Sequence, residues 1–155
     1  MEEQVSMDIS DYTDLEQIKL DLSGNNKEEV LKELVKVLKL NQKIISESKF
    51  YEALLKREAE GSTGLGRGIA IPHGKSETVK ELSLVVGRSK QGIDFASLAG
   101  GEVKLIFMIA DFPGVSEEYL ELLAKLTASL RNDKLRQRLL DAKDKQEILS
   151  ILNKF

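Results

Sequence analysis

The longest apolar stretch of the chain is Val103–Ala110, VKLIFMIA, in which only Lys104 is polar. A run of that kind predicts a central strand covered on both faces. Elsewhere the apolar positions are spaced. Ile18, Leu20 and Leu22 alternate with Lys19 and Asp21, a half-buried strand. Asn26 caps a helix in capping-box fashion with Glu29, and Val30, Leu31, Leu34, Val35 and Leu38 supply its apolar face. A second helix starts near Ser46 or Ser48, carries Phe50 and Leu54 on one face with Arg57 continuing that face, and is stopped by Gly61. Ile69-Ala70-Ile71 reads as a short buried strand. Leu82, Leu84 and Val86 form another, and Gln91-Gly92 turns into Ile93-Asp94-Phe95. After Phe112-Pro113-Gly114, Ser116 caps a long helix with Leu120, Leu123, Leu126, Thr127 and Leu130 as its face. Asn132 or Asp133 caps a shorter one with Leu135, Leu139 and Leu140, and Asp144 with Glu147 opens a last one with Ile148, Leu149, Ile151 and Leu152. The order is strand, two helices, three or four strands, three helices. Helices at both ends of the chain can cover both faces of the sheet, so the expected fold is a three-layer α/β/α sandwich with a mixed sheet, one domain over residues 1–155.

Composition narrows the function. A chain of 155 residues that is 41% hydrophobic and 32% charged suits a globular domain. Its net charge of -3, without a dense basic block, argues against nucleic acid. The absence of cysteine removes disulfides, thiolate catalysis and zinc–sulfur sites. No apolar run approaches the roughly 20 residues of a membrane span. MEEQVSMDIS lacks the basic and apolar regions of a signal peptide, so the cytoplasm is the expected compartment.

The candidate chemistry lies in Arg57–Ser76, REAEGSTGLGRGIAIPHGKS. This segment holds the only histidine, His73, directly after Pro72, and the glycines Gly61, Gly64, Gly66, Gly68 and Gly74. Proline biases Ile71 towards extended backbone, and glycine lets the chain leave the strand at an unusual angle, so His73 is aimed at the end of a strand. Gly74-Lys75-Ser76 resembles the end of a phosphate-binding loop. That motif and the dinucleotide fingerprint both need glycine where Ile69 stands. One histidine without cysteine leaves only carboxylates as metal partners, and no nucleophile-elbow motif accompanies a serine. Neither a metal nor a cofactor is expected. Histidine can itself accept a phosphoryl group on a ring nitrogen. Arg57 and the backbone of the glycine-rich loop around Ser62 and Thr63 are suited to stabilise the charge. The partner that fixes the tautomer is not legible in the sequence.

The run Gly68-Ile69-Ala70-Ile71-Pro72-His73-Gly74, preceded by Arg57-Glu58 and Thr63-Gly64, resembles the IIA component of the fructose/mannitol type of the bacterial phosphotransferase system. The likeness extends to LDLSGNNKEEVL upstream and LIFMIA downstream and spans nearly the whole chain. It implies a mixed sheet between helix layers. It also implies a phosphotransferase component in which His73 takes phosphate from the phosphocarrier HPr and hands it to a IIB component. Arg57, Thr63 and Gly64 would stand as phosphate-binding neighbours. Many relatives carry a second histidine at the start of the helix after the central strand, and Tyr119 occupies that place here. Tyr119 is expected to line the His73 site as a neutral hydroxyl or a packing wall. Two other readings stay open: a regulatory protein like the nitrogen-related IIA relatives, and a non-catalytic anion-transporter-like domain, which the presence of His73 and Arg57 disfavours. The sequence names neither the sugar nor the oligomeric state, and a homodimer remains open.

Overall fold

The computed structural model describes residues 7–96, 100–114 and 116–155. The expectation for the first residues, that no signal peptide is present, falls largely on residues 1–6, outside the described part. Two 3-10 turns, Ile9–Asp11 and Leu15–Gln17, lead into strand β1 (Ile18–Lys19). Helices α1 (Lys27–Leu40) and α2 (Glu47–Glu58) follow, then β2 (Gly64–Gly66), β3 (Ile69–Ala70), β4 (His73–Lys75), β5 (Ser83–Asp94) and β6 (Glu102–Asp111). Helices α3 (Glu117–Ser129), α4 (Asp133–Asp141) and α5 (Lys145–Leu152) close the chain.

The sheet order is β1-β5-β6-β3-β2, with β4 also paired to β6. The β5–β6 and β2–β3 pairs are antiparallel, and β1–β5, β3–β6 and β4–β6 are parallel, so the sheet is mixed as expected. Its period of two sorts the run from Leu105 to Ala110 cleanly. Leu105, Phe107 and Ile109 join one buried cluster with residues of α3, α4 and α5, and Ile106, Met108 and Ala110 join the other with residues of α1 and α2. Both faces are dry from Leu105 to Ala110, which is why those residues are all apolar, while Lys104 near the start of the run is exposed.

Several elements differ from their sequence expectation. The first strand is only two residues long. Beyond it Leu22 stays buried, and its N–H donates to the Arg88 carbonyl outside any regular ladder. No turn separates two strands at Gln91-Gly92: β5 runs through, and a register irregularity between Arg88 and Ile93 absorbs the extra residues. Gly92 permits this with φ of +85°, where a Cβ would lie 2.8 Å from that of Glu102. The buried stripe of α3 is Tyr119, Leu122 and Leu126, continued by Leu130, while Leu120 is half exposed. In the first turns of α3 Tyr119, Leu120, Leu122 and Leu123 are all apolar, so spacing alone did not fix its inner face. Ser46 and Asn132 are the caps of α2 and α4. At α1 and α5 the cap side chains of Asn26 and Asp144 accept from the Glu29 and Glu147 N–H groups. The reciprocal bonds reach one residue further out, to the N–H groups of Asn25 and Lys143. Among the described residues, no helix is long and apolar enough to cross a membrane.

Arg88 of β5 is buried at 4% exposure and ties the α4 layer to the sheet. Its guanidinium donates to the carbonyls of Leu139, Leu140 and Ala142, where α4 ends, and to that of Leu20. It thus satisfies helix-end carbonyls that have no partner within the helix. Replacing Arg88 with methionine should cost about 3 kcal/mol, because those carbonyls would be left buried without donors. For a protein of this size that corresponds to a fall in Tm of about 6–12 °C by calorimetry. An unchanged Tm would mean that water reaches this end of α4.

Candidate functional site

The site is built where β4 meets α2 and the start of α3. Pro72 lacks an N–H and divides the strand, so β3 and β4 lie in line along β6 as two short pieces. His73 therefore opens the second piece, paired with Ile109, and does not end the first. Gly74 has an ordinary backbone conformation, and its lack of a side chain serves close packing. A Cβ there would lie 3.1 Å from the Phe50 ring and 3.3 Å from the Leu54 backbone. This correction to the sequence reading has a simple consequence. With Gly74 against α2, the alternation of the strand sends His73 and Lys75 to the opposite face together.

His73 is half-buried, and both ring nitrogens have partners. Nδ1 lies 3.0 Å from the Ile71 carbonyl, and Arg57 Nε lies 3.1 Å from Nε2. A carbonyl only accepts and a guanidinium only donates. The pattern is therefore met by the neutral tautomer with its proton on Nδ1 and its lone pair on Nε2. Burial of the ring pushes the imidazole pKa below its ordinary value. The Ile71 carbonyl opposes that shift, and the positive charge of Arg57 reinforces it. The neutral form is thus favoured around pH 7.

Arg57 ends the Phe50/Leu54 face of α2 as the spacing predicted. Its Nη1 donates to the Gly61 carbonyl at 2.8 Å, which leaves Nε aimed at the ring. Tyr119 stands across from His73, with ring centroids 6.0 Å apart and planes inclined by 53°. Ser116 caps α3 by accepting from the Tyr119 N–H, which holds the tyrosine in the first turn. The Tyr119 ring is buried, its hydroxyl has no hydrogen-bond partner among the described residues, and burial raises its pKa. It forms a wall. An open cleft of about 270 Å³ runs between these groups, lined by Ala53, Lys56, Arg57, Glu60, His73, Gly74, Lys75 and Tyr119.

Thr63 and Gly64 do not line that cleft. The Thr63 hydroxyl and N–H both donate to the Glu58 carboxylate, which also pairs with Lys27. The Thr63 carbonyl accepts from the Ile71 N–H at 3.1 Å. The Gly64 N–H donates to the Ser62 hydroxyl. Thr63 is connected to His73 through Ile71, whose N–H it holds and whose carbonyl holds the imidazole.

Lys75 was missed by the motif reading, which met Gly74-Lys75-Ser76 only as a phosphate-loop look-alike. Its ammonium lies 4.1 Å from the centre of the Tyr119 ring and 3.6 Å from the Asp111 carboxylate, and it donates to the Gly114 carbonyl. The signal available was its two-residue spacing from His73 in a strand. Glu58 was likewise quoted beside Arg57 without a role. Among the described residues no group of histidines and carboxylates could hold a metal ion.

Comparison with known proteins agrees with this architecture. Residues 11–155 match the family described as phosphoenolpyruvate-dependent sugar phosphotransferase system, EIIA 2. The chain is 39% identical over 147 residues to the fructose-specific EIIABC component of Bacillus subtilis, covering 95% of this chain but only 23% of that protein. It is 35% identical over 145 residues to the fructose-specific EIIA component of Haloferax volcanii, covering 94% of each. The crystal structure of the nitrogen regulatory protein IIA-Ntr from Neisseria meningitidis superposes with a TM-score of 0.87 at 31% identity, covering 93% of this chain and 98% of that one. With a family match over nearly its whole length and the expected mixed-sheet fold around the Ile71-Pro72-His73 segment, the chain belongs to the EIIA type 2 family of the sugar phosphotransferase system.

Proposed function

We propose that this chain is a phosphohistidine carrier, accepting a phosphoryl group from HPr on Nε2 of His73 and passing it to a IIB component in fructose/mannitol-type uptake. The observation that carries this reading is the double anchoring of the ring. Nδ1–H is committed to Ile71, so the only lone pair in the ring plane is on Nε2, facing Arg57 and the open cleft.

The transfer balances without a proton. The nitrogen–phosphorus bond of the donor breaks and its electron pair returns to the donor imidazole, while the Nε2 lone pair of His73 forms the new bond. The Nδ1 proton stays in place. As the ring gains positive charge, Nδ1–H becomes a better donor, and its bond to the Ile71 carbonyl strengthens. An interaction that is stronger in the transition state than before it accelerates the step. Phosphoryl transfer is otherwise governed by positioning and charge stabilisation. Arg57 serves the second need by shifting its donors from Nε2 to the phosphoryl oxygens, where the planar guanidinium fits. Thr63 is a positioning residue in this reading, acting through Ile71, and Gly64 opens β2 directly after it.

A second reading is regulation of a partner by the phosphorylation state, as the name of the Neisseria relative suggests for that protein. Onward transfer separates the two: a sugar-uptake carrier gives its phosphoryl group to a IIB component, and a purely regulatory protein does not.

Incubation with phosphoenolpyruvate, enzyme I and HPr, followed by intact mass measurement, should show one acid-labile phosphate. His73→Gln should show none, and persistence of the label in that variant would refute the assignment. In the same assay Arg57→Ala should be slower by at least tenfold, equivalent to about 1.4 kcal/mol in the barrier. Tyr119→Phe should stay within about threefold, since it removes a hydroxyl without a partner. Loss of acceptance in a folded Tyr119→Phe protein would show that the hydroxyl, and not the ring, matters.

A further inference from the structure

The cleft contains a second cation whose present partners account for only part of its capacity. Lys75 has three donor hydrogens. One bonds the Gly114 carbonyl. The Asp111 carboxylate, at 3.6 Å, is an ion-pair partner beyond normal hydrogen-bond distance, and the Tyr119 ring offers its face. The Asp111 oxygen nearest Lys75 also accepts from the Ser116 hydroxyl at 3.2 Å. A quarter of the Lys75 side chain is exposed, while that of Asp111 is 5% exposed. The flexible four-carbon stem is thus held on one side only, in the same cleft as His73 and on the same face of β4.

Resting on the reading of His73 as a phosphoryl carrier, we propose that Lys75 is a two-position phosphate sensor. In the bare protein it clamps Asp111 and Gly114, and in the phosphorylated protein it moves to the phosphoryl group on His73. The charges support this order. A phosphoryl group near neutral pH carries close to two negative charges and three acceptor oxygens. It faces Lys75 with more charge than one carboxylate that is already shared with Ser116. Arg57 approaches the phosphoryl position from α2 and Lys75 from β4, so the two cations enclose it. Lys56 and Glu60, also in the cleft, are exposed residues of α2 and the turn that follows it.

The move has a consequence beyond the cleft. Lys75 ties the Asp111 side chain and the Gly114 carbonyl to β4, beside the backbone bond from the Ser76 N–H to the Asp111 carbonyl. When it leaves, the segment from Asp111 to Gly114 loses the donor to its Gly114 carbonyl and the counter-charge of the buried Asp111 carboxylate.

The test uses the whole chain, phosphorylated as above. The 31P signal of the phosphohistidine is followed against pH in the wild type, Lys75→Gln and Lys75→Arg. Loss of a neighbouring cation should raise the phosphoryl titration midpoint in Lys75→Gln by about half a pH unit or more, and Lys75→Arg should restore it. The 13Cε signal of Lys75 in the wild type should shift on phosphorylation. A midpoint unchanged in Lys75→Gln would overturn the sensor while leaving the carrier intact. A wild-type protein that takes up no phosphoryl group would overturn both. If folded Lys75→Gln accepts no phosphate, the wild-type 13Cε signal decides: a shift supports the sensor, and its absence refutes it.

Discussion

The hydrogen bond from His73 Nδ1 to the Ile71 carbonyl is the constraint on which the rest of the site depends. It selects the tautomer, fixes the ring plane and sets the direction in which Nε2 looks. Its geometry is produced by backbone features that are costly to imitate elsewhere. Pro72 divides β3 from β4 between Ile71 and His73, Thr63 holds the Ile71 N–H, and Glu58 holds Thr63. Gly74 then lets β4 lie against α2 closely enough for Arg57 to reach the ring. A long-range packing arrangement is thus converted into the position of one lone pair.

The electrostatics follow from the same packing. A half-buried imidazole beside Arg57 disfavours its own protonation, so it keeps an unprotonated ring nitrogen near neutral pH. Three cations, Lys56, Arg57 and Lys75, and one carboxylate, Glu60, line the cleft, and Arg57 donates there to the His73 ring and to the Gly61 carbonyl. Asp111 offsets the charge of Lys75 from the far side. Such a site is better matched to a group bringing negative charge than to one bringing none.

Much of the fold was legible because period two and period 3.6 are strong signals where one face is buried. VKLIFMIA announced a doubly covered strand, and the spacing of Val30, Leu34 and Leu38 announced an inner helix face. The signal failed where apolar residues were too many to discriminate, as in the first turns of α3, where Leu120 proved exposed and Tyr119 buried. It also failed where a single glycine replaced a turn by an irregular strand, as at Gly92. The site was legible in part for a comparable reason. His73 and Arg57 stood out as an isolated histidine with an arginine on a helix face otherwise apolar. Lys75, Glu58 and Asp111 are common charged residues, and only the register of β4 on β6 and the return of the Thr63 loop give them their neighbours. Arg88 was hidden likewise, since its partners lie more than 50 residues away at the end of α4.

The most direct measurement of the central claim is a pH titration of the His73 ring nitrogens by 15N NMR. Only neutral imidazole is a nucleophile, and a lowered pKa keeps the ring neutral to a lower pH. The ring should therefore remain the Nδ1–H tautomer, with Nε2 unprotonated, from pH 8 down past the ordinary value of about 6.5. It should protonate only below that, and phosphorylation should move the Nε2 signal. A ring that carries its neutral proton on Nε2, or that titrates at or above 6.5, would contradict the account.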